Sequence, residues 1–165
     1  MLAVLTAAGI AFAVFHSATT TVVVLARSFE RHPGTIDNPP LSPEGEQRAE
    51  RLAQLFAPDK GTGSLDAIYV SDVRSAQQTA APLAERLHKT PIVVPGKDVE
   101  DFAGRVMDEH GGDTVLVVGS DNLVPELARE LSGLDMGPVS QDEGDALYVV
   151  SIPSFGRASL QRLKY

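Results

Sequence analysis

The sequence predicts an α/β domain built as a three-layer sandwich: a mostly parallel central sheet, helices on both faces and a C-terminal antiparallel hairpin. Three observations predict it. Short β-branched runs alternate along the chain with segments of helical period. The run TTTVVVLA (19–26) is apolar almost throughout, as expected of a parallel strand covered on both faces. The last two strand-like runs, ALYVVSI and ASLQRLKY, are joined by PSFGR, a connection short enough for a hairpin.

The elements follow in order. After the first strand, HPGTIDNPP is a loop by its prolines, glycine and asparagine. Ser42 is placed to cap a helix with Pro43 at its first position and Glu44 in its first turn. Ala49, Leu52, Ala53 and Phe56 give that helix one apolar face. LDAIYV (65–70) is a second strand. A helix from about Val73 to Leu87 aligns Ala76, Ala80, Leu83 and Leu87, and Pro82 predicts a kink or restart within it. PIVVP is a short strand. Val99, Phe102, Ala103, Val106 and Met107 mark an amphipathic helix stopped by Gly111 and Gly112. TVLVVG (114–119) is a buried strand, and Pro125 opens the helix that carries Val124, Leu127, Ala128 and Leu131.

Composition narrows the function classes. The 165 residues suit one domain, and 43% hydrophobic content excludes a disordered chain. A net charge of −8 argues against nucleic acid as a partner, because no basic stripe is available to neutralise phosphates. The absence of cysteine excludes disulfides, thiolate metal sites and cysteine nucleophiles. No HExxH or Cys/His spacing supports a metal, no cofactor motif is present, and the acidic run QDEGD (141–145) reads as a solvated turn.

Residues 2–15, LAVLTAAGIAFAVF, form an uncharged apolar run whose length suits the core of a signal peptide better than a spanning helix. No Lys or Arg precedes Arg27, so the usual basic leader is missing. The reading divides the chain into an apolar segment, 1–19, and a globular domain, 20–165. It implies export to a periplasm-like compartment or attachment to a membrane through residues 2–15. The alternative is an extra buried segment, or a misassigned start, in a cytoplasmic protein.

In a parallel sheet, ligands bind at the carboxyl ends of the strands. Three polar segments leave such ends: Arg27-Ser28, Ser71 to Ser75, and Gly119 to Asn122. Arginines beside helix N-termini suit an anion.

These segments carry a resemblance. VVVLARSFER, NPPLSPEGEQRAERLAQLF, LDAIYVSDVRSAQQTAAPLAERL and GGDTVLVVGSDNLVPELARELSG are similar, in order and with few gaps, to the histidine phosphatase (phosphoglycerate-mutase-like) superfamily. The resemblance implies a reaction in which a histidine after the first strand attacks a phosphoryl group. A second histidine and two arginines cradle the phosphate, and an acid protonates the leaving group. It also implies that this chain departs from the pattern. Arg27 matches the first arginine, with Glu30 supporting the register. Ser28 then stands at the nucleophile's position, Ser75 at the second arginine's and Ser120 at the second histidine's. The catalytic set is therefore not intact, and a residual anion pocket is expected around Arg27, Arg74, Ser28, Ser120 and Asn122.

Substitutes are weak. His32 is the one candidate replacement nucleophile, but it lies in a loop ahead of Pro33 with no visible partner, where a solvated role is the commoner one. His88 and His110 read as surface or cap residues. Arg74 is one residue out of register, which rotates a helical side chain by about 100°. Ser28 as nucleophile lacks a base. Asp121 opposes phosphate, since a carboxylate about 4 Å from an anion costs roughly 1–4 kcal/mol; capping the next helix is its commoner role.

The sequence thus points to a pseudoenzyme of this fold, a binding or scaffolding module without phosphotransfer chemistry. Its ligand would be phosphate or a phosphorylated small molecule or protein, bound weakly, and no protein partner is identified. The alternative is an atypical phosphomonoester hydrolase using the residual pocket around Arg27.

Overall fold

The computed structural model describes residues 20–29, 37–56, 65–137, 139 and 145–165. The apolar segment 1–19, Glu30, His32 and residues 141–144 of the acidic run lie outside them. Six strands are described: β1 (Thr20–Arg27), β2 (Ala67–Ser71), β3 (Ile92–Val94), β4 (Thr114–Gly119), β5 (Ala146–Pro153) and β6 (Ser159–Lys164). They form one sheet in the order β3-β2-β4-β1-β5-β6. β1 runs parallel to β4, and β2 runs parallel to both β4 and β3. β5 is antiparallel to β1, and β6 to β5, so the closing hairpin extends one edge of a parallel sheet.

The alternation of side chains along β1 explains why its sequence is apolar without a period. Val24 and Ala26 face one side and Val23 and Leu25 the other, all of them buried. On the first side lie helices α1 (Pro43–Leu55) and α2 (Arg74–Arg86), which contribute Leu52, Ala53, Ala80 and Leu83 to a core with Ile68 and Leu116. On the second side lie α3 (Val99–Glu109) and α4 (Leu123–Ser132), which bring Phe102, Val106, Val124 and Leu127 against Leu25, Val115 and Val117. Two cores with a sheet between them make the expected three layers.

Local chemistry sets the helix starts. Ser42 holds an extended backbone and its hydroxyl accepts from the Gly45 N–H at 3.2 Å, with Pro43 opening α1. At the start of α4 the structure differs from the expectation. The helix begins at Leu123, and Pro125 is its third residue, where the missing N–H falls among donors that have no helical partner anyway. A second difference concerns Pro82. The helix does not restart there: α2 runs unbroken from Arg74 to Arg86 with Pro82 inside it. Buried Ala76, Thr79, Ala80, Leu83 and Ala84 flank the proline on the packed face and hold the helix across the lost hydrogen bond. Among the described residues, no helix is long and apolar enough to cross a membrane.

Candidate functional site

The carboxyl ends of β1 and β4 are level, with Arg27 paired to Gly119. The chain leaves both strands together there, and the Ser28 N–H donates to the Gly119 carbonyl at 2.8 Å. Gly119 must be small: a Cβ on it would lie 2.9 Å from Leu123 Cδ2. That close approach brings the start of α4 against the strand end. Ser28, Val73, Ser120, Asp121 and Asn122 line a cleft of about 250 Å³ at this point. Three of the residues expected to form the anion pocket, Ser28, Ser120 and Asn122, are thus brought together.

Val73 and Asn122 are the cap positions of α2 and α4, so the cleft opens at two helix N-termini. Helix N-termini carry free N–H donors and a partial positive charge that favour an anion. Here, however, the first donor of each helix already has an acceptor. The Leu123 N–H donates to Ser120 Oγ at 3.2 Å, and the Arg74 N–H donates to Asn38 Oδ1 at 2.8 Å. Ser120 supplies the cap for which Asp121 was the candidate.

Asp121 turns instead to the arginine. Arg27 Nη1 donates to Asp121 Oδ1 at 3.3 Å, with the arginine side chain 9% exposed and the carboxylate 37% exposed. At this separation an attraction between unit charges is worth about 1 kcal/mol in water and about 4 kcal/mol near a protein surface. The carboxylate therefore meets the guanidinium as an external anion would, from a position in the cleft wall. The sequence showed both residues but not their pairing, since 94 positions separate them.

The other expected residues fall outside the cleft lining. Ser75 is buried on α2 at 1% exposure, while Arg74 is exposed. His32 lies outside the described residues. Phe29, next to Ser28, is buried in the core with Leu41 and Leu52, and its ring lies 6.5 Å from that of Tyr165. Its N–H donates to the fully buried Thr79 hydroxyl at 3.2 Å. This fixes the backbone on both sides of Ser28.

His88 is exposed beyond the end of α2, in a left-handed conformation. His110 is more than the cap it was expected to be. It caps α3, but Nε2 also lies 2.9 Å from the Tyr69 hydroxyl and Nδ1 3.1 Å from Asp113 Oδ2. The Tyr69 hydroxyl donates to Glu109 Oε2 at 3.2 Å. Burial, and then the Glu109 carboxylate, push the Tyr69 pKa above its ordinary value, with Arg105 opposing. This group lies at the pole of the sheet opposite the cleft.

A larger groove of about 530 Å³ runs between α1 and α2, lined by Leu41, Pro43, Glu46, Gln78 and Pro82 among others. It shares no lining residue with the cleft and includes none of the residues that follow β1 and β4 directly, so the smaller cleft is the candidate site.

Residues 28–98 match the sequence profile of the histidine phosphatase superfamily (branch 1). The fold is similar to that of the protein histidine phosphatase SixA, solved with tungstate, at a TM-score of 0.71 and 20% identity over 87% of this chain and 96% of that one. It is also similar to the alpha-ribazole phosphatase from Shigella flexneri, at a TM-score of 0.69 and 16% identity over 87% of this chain and 96% of that one. A mycobacterial glucosyl-3-phosphoglycerate phosphatase superposes with a TM-score of 0.68 and 14% identity, over 88% of this chain and 99% of that one. No curated protein matches by sequence. Residues 28–98 are thus similar in sequence to the histidine phosphatase superfamily, and the chain shares the fold of these phosphatases.

Proposed function

We propose that this chain is a pseudoenzyme of the histidine phosphatase superfamily: a binding or scaffolding module whose cleft has no phosphotransfer chemistry and takes phosphorylated ligands only weakly. The observation that carries the reading is the Arg27–Asp121 pair at 3.3 Å. Phosphoryl transfer needs a nucleophile in line with the phosphorus and cations placed for the charge that spreads over its oxygens. The cleft offers hydroxyls at Ser28 and Ser120, an amide at Asn122, and a carboxylate on the guanidinium that a phosphate would need. A serine hydroxyl attacks only with a base to take its proton, and among the described residues no imidazole lines this cleft. Asp121, the one carboxylate among its described lining residues, is committed to Arg27.

Hydrolysis of p-nitrophenyl phosphate tests the reading. The unchanged protein is expected to match the buffer rate. The variant combining Ser28→His, Ser75→Arg, Ser120→His and Asp121→Asn is expected to turn over and to trap a phosphohistidine on acid-free denaturation. Turnover by the unchanged protein that Arg27→Ala abolishes would overturn the proposal in favour of an atypical hydrolase.

A further inference from the structure

We propose that the tip of the β5–β6 hairpin is a membrane-contact site that works with the apolar N-terminal segment, holding the candidate cleft away from the bilayer. Residues 2–15 carry no charge, and the chain that follows them enters the described fold at Thr20. Thr20 pairs with Pro153, the last residue of β5. The hairpin turn, Ser154–Ala158, therefore projects from the same pole of the sheet at which residues 1–19 join it.

That turn has the composition of an interfacial anchor. Phe155 is 82% exposed, the most exposed of the large hydrophobic side chains among the described residues. Gly156 beside it has φ +119°, a conformation that glycine takes without strain and that lets the turn present the ring outward. Arg157 is also exposed, and PSFGRAS (153–159) contains no carboxylate. An aromatic ring at headgroup depth beside a cation suits a lipid–water interface.

The opposite arrangement of the cleft follows from the register. Arg27 ends β1 seven residues beyond Thr20, which places the cleft about 23 Å from the joining point. Anchored at Thr20 and at the hairpin tip, the domain keeps Ser28, Ser120 and Asn122 facing solution. The inference does not depend on what occupies that cleft.

The absence of tryptophan from the sequence makes the test direct. Full-length Phe155→Trp carries one tryptophan, at the proposed contact. With vesicles of phosphatidylcholine and phosphatidylglycerol, the full chain is expected to co-float. The emission of the introduced indole is expected to shift to the blue and to be quenched by lipids brominated near the headgroup. Full-length Phe155→Ser is expected to partition several-fold more weakly with an unchanged melting temperature. Failure of the full chain to float would overturn the proposal. Flotation with a tryptophan emission unchanged from that in buffer would overturn it equally, by showing attachment without the hairpin.

Discussion

Asp121 accepts a hydrogen bond from Arg27 at 3.3 Å, so the buried cation beside the candidate cleft is held by a carboxylate of its own chain. A dianion entering the cleft must either displace that carboxylate or sit beside it. Asp121→Asn keeps the shape and removes the competing charge. Coulombic repulsion of about 1–4 kcal/mol corresponds to an affinity change of about fivefold or more. Asp121→Asn is therefore expected to bind phosphate or tungstate at least about fivefold more tightly than the unchanged protein. Calorimetric titration reads this directly, and Arg27→Ala in the same background should remove the binding. Equal affinity with and without the carboxylate would mean that Asp121 does not guard the cleft.

Thr79 sits fully buried on α2, and its hydroxyl accepts from the Phe29 N–H. Thr79→Val preserves the volume but leaves that N–H buried without its acceptor, which costs about 1–3 kcal/mol. A fall of that size in urea-unfolding free energy is expected. Because Phe29 adjoins Ser28, the variant should also loosen the Arg27–Ser28 backbone, read as faster amide exchange at residues 28 and 29. A loss of stability without that local exchange would separate the packing role of Thr79 from the positioning role.

How much of this is legible in the sequence differs by element. The β-branched apolar run of β1 reads as a strand covered on both faces, and both cores meet it. The α1 start is written in Ser42 and Pro43, which act locally and need no tertiary information. Pro82 suggests a break because its local cost is visible in sequence, while the buried residues that outweigh it are not. The strand ends that line the cleft are legible from the topology alone. The direction of Asp121 is not, because capping and ion pairing are both open to it, and its partner lies 94 positions away. His110 reads as a cap by its place at a helix end, but Tyr69, from a different strand, gives it a second role.

Pro82 carries its own test. Proline inside a helix forfeits one backbone hydrogen bond and crowds the carbonyl four residues back, at about 3 kcal/mol. Part of this is offset by the lower entropy of the unfolded chain, about 0.4–1 kcal/mol. The ring also lines the α1–α2 groove, a contact that alanine would reduce. Pro82→Ala is expected to raise stability by about 1–2 kcal/mol, measured by urea denaturation. A neutral or destabilising result would mean that the groove depends on the proline ring.

Tyr69 links stability to pH at the other pole. Its pKa is raised in the folded protein, first by burial and then by Glu109, from the ordinary 10.0. An unfolded chain releases this proton near pH 10, whereas the folded chain holds it to higher pH. Between those two points the unfolded state binds fewer protons, so stability falls as pH rises through the window. Below pH 10 the contribution is fully present, and no acid limb arises from this group. Tyr69→Phe removes the titrating proton and also the hydroxyl's contacts with Glu109 and His110. The variant is expected to be less stable at neutral pH by about 1–2 kcal/mol, the range for a lost hydrogen bond in a partly buried network. Its stability should then decline less steeply than that of the unchanged protein above pH 10. Urea unfolding at a series of alkaline pH values, compared between the two, isolates Tyr69 from Tyr148 and Tyr165, which both proteins retain. Parallel curves would mean that the phenol ionises equally well in the folded and unfolded chains.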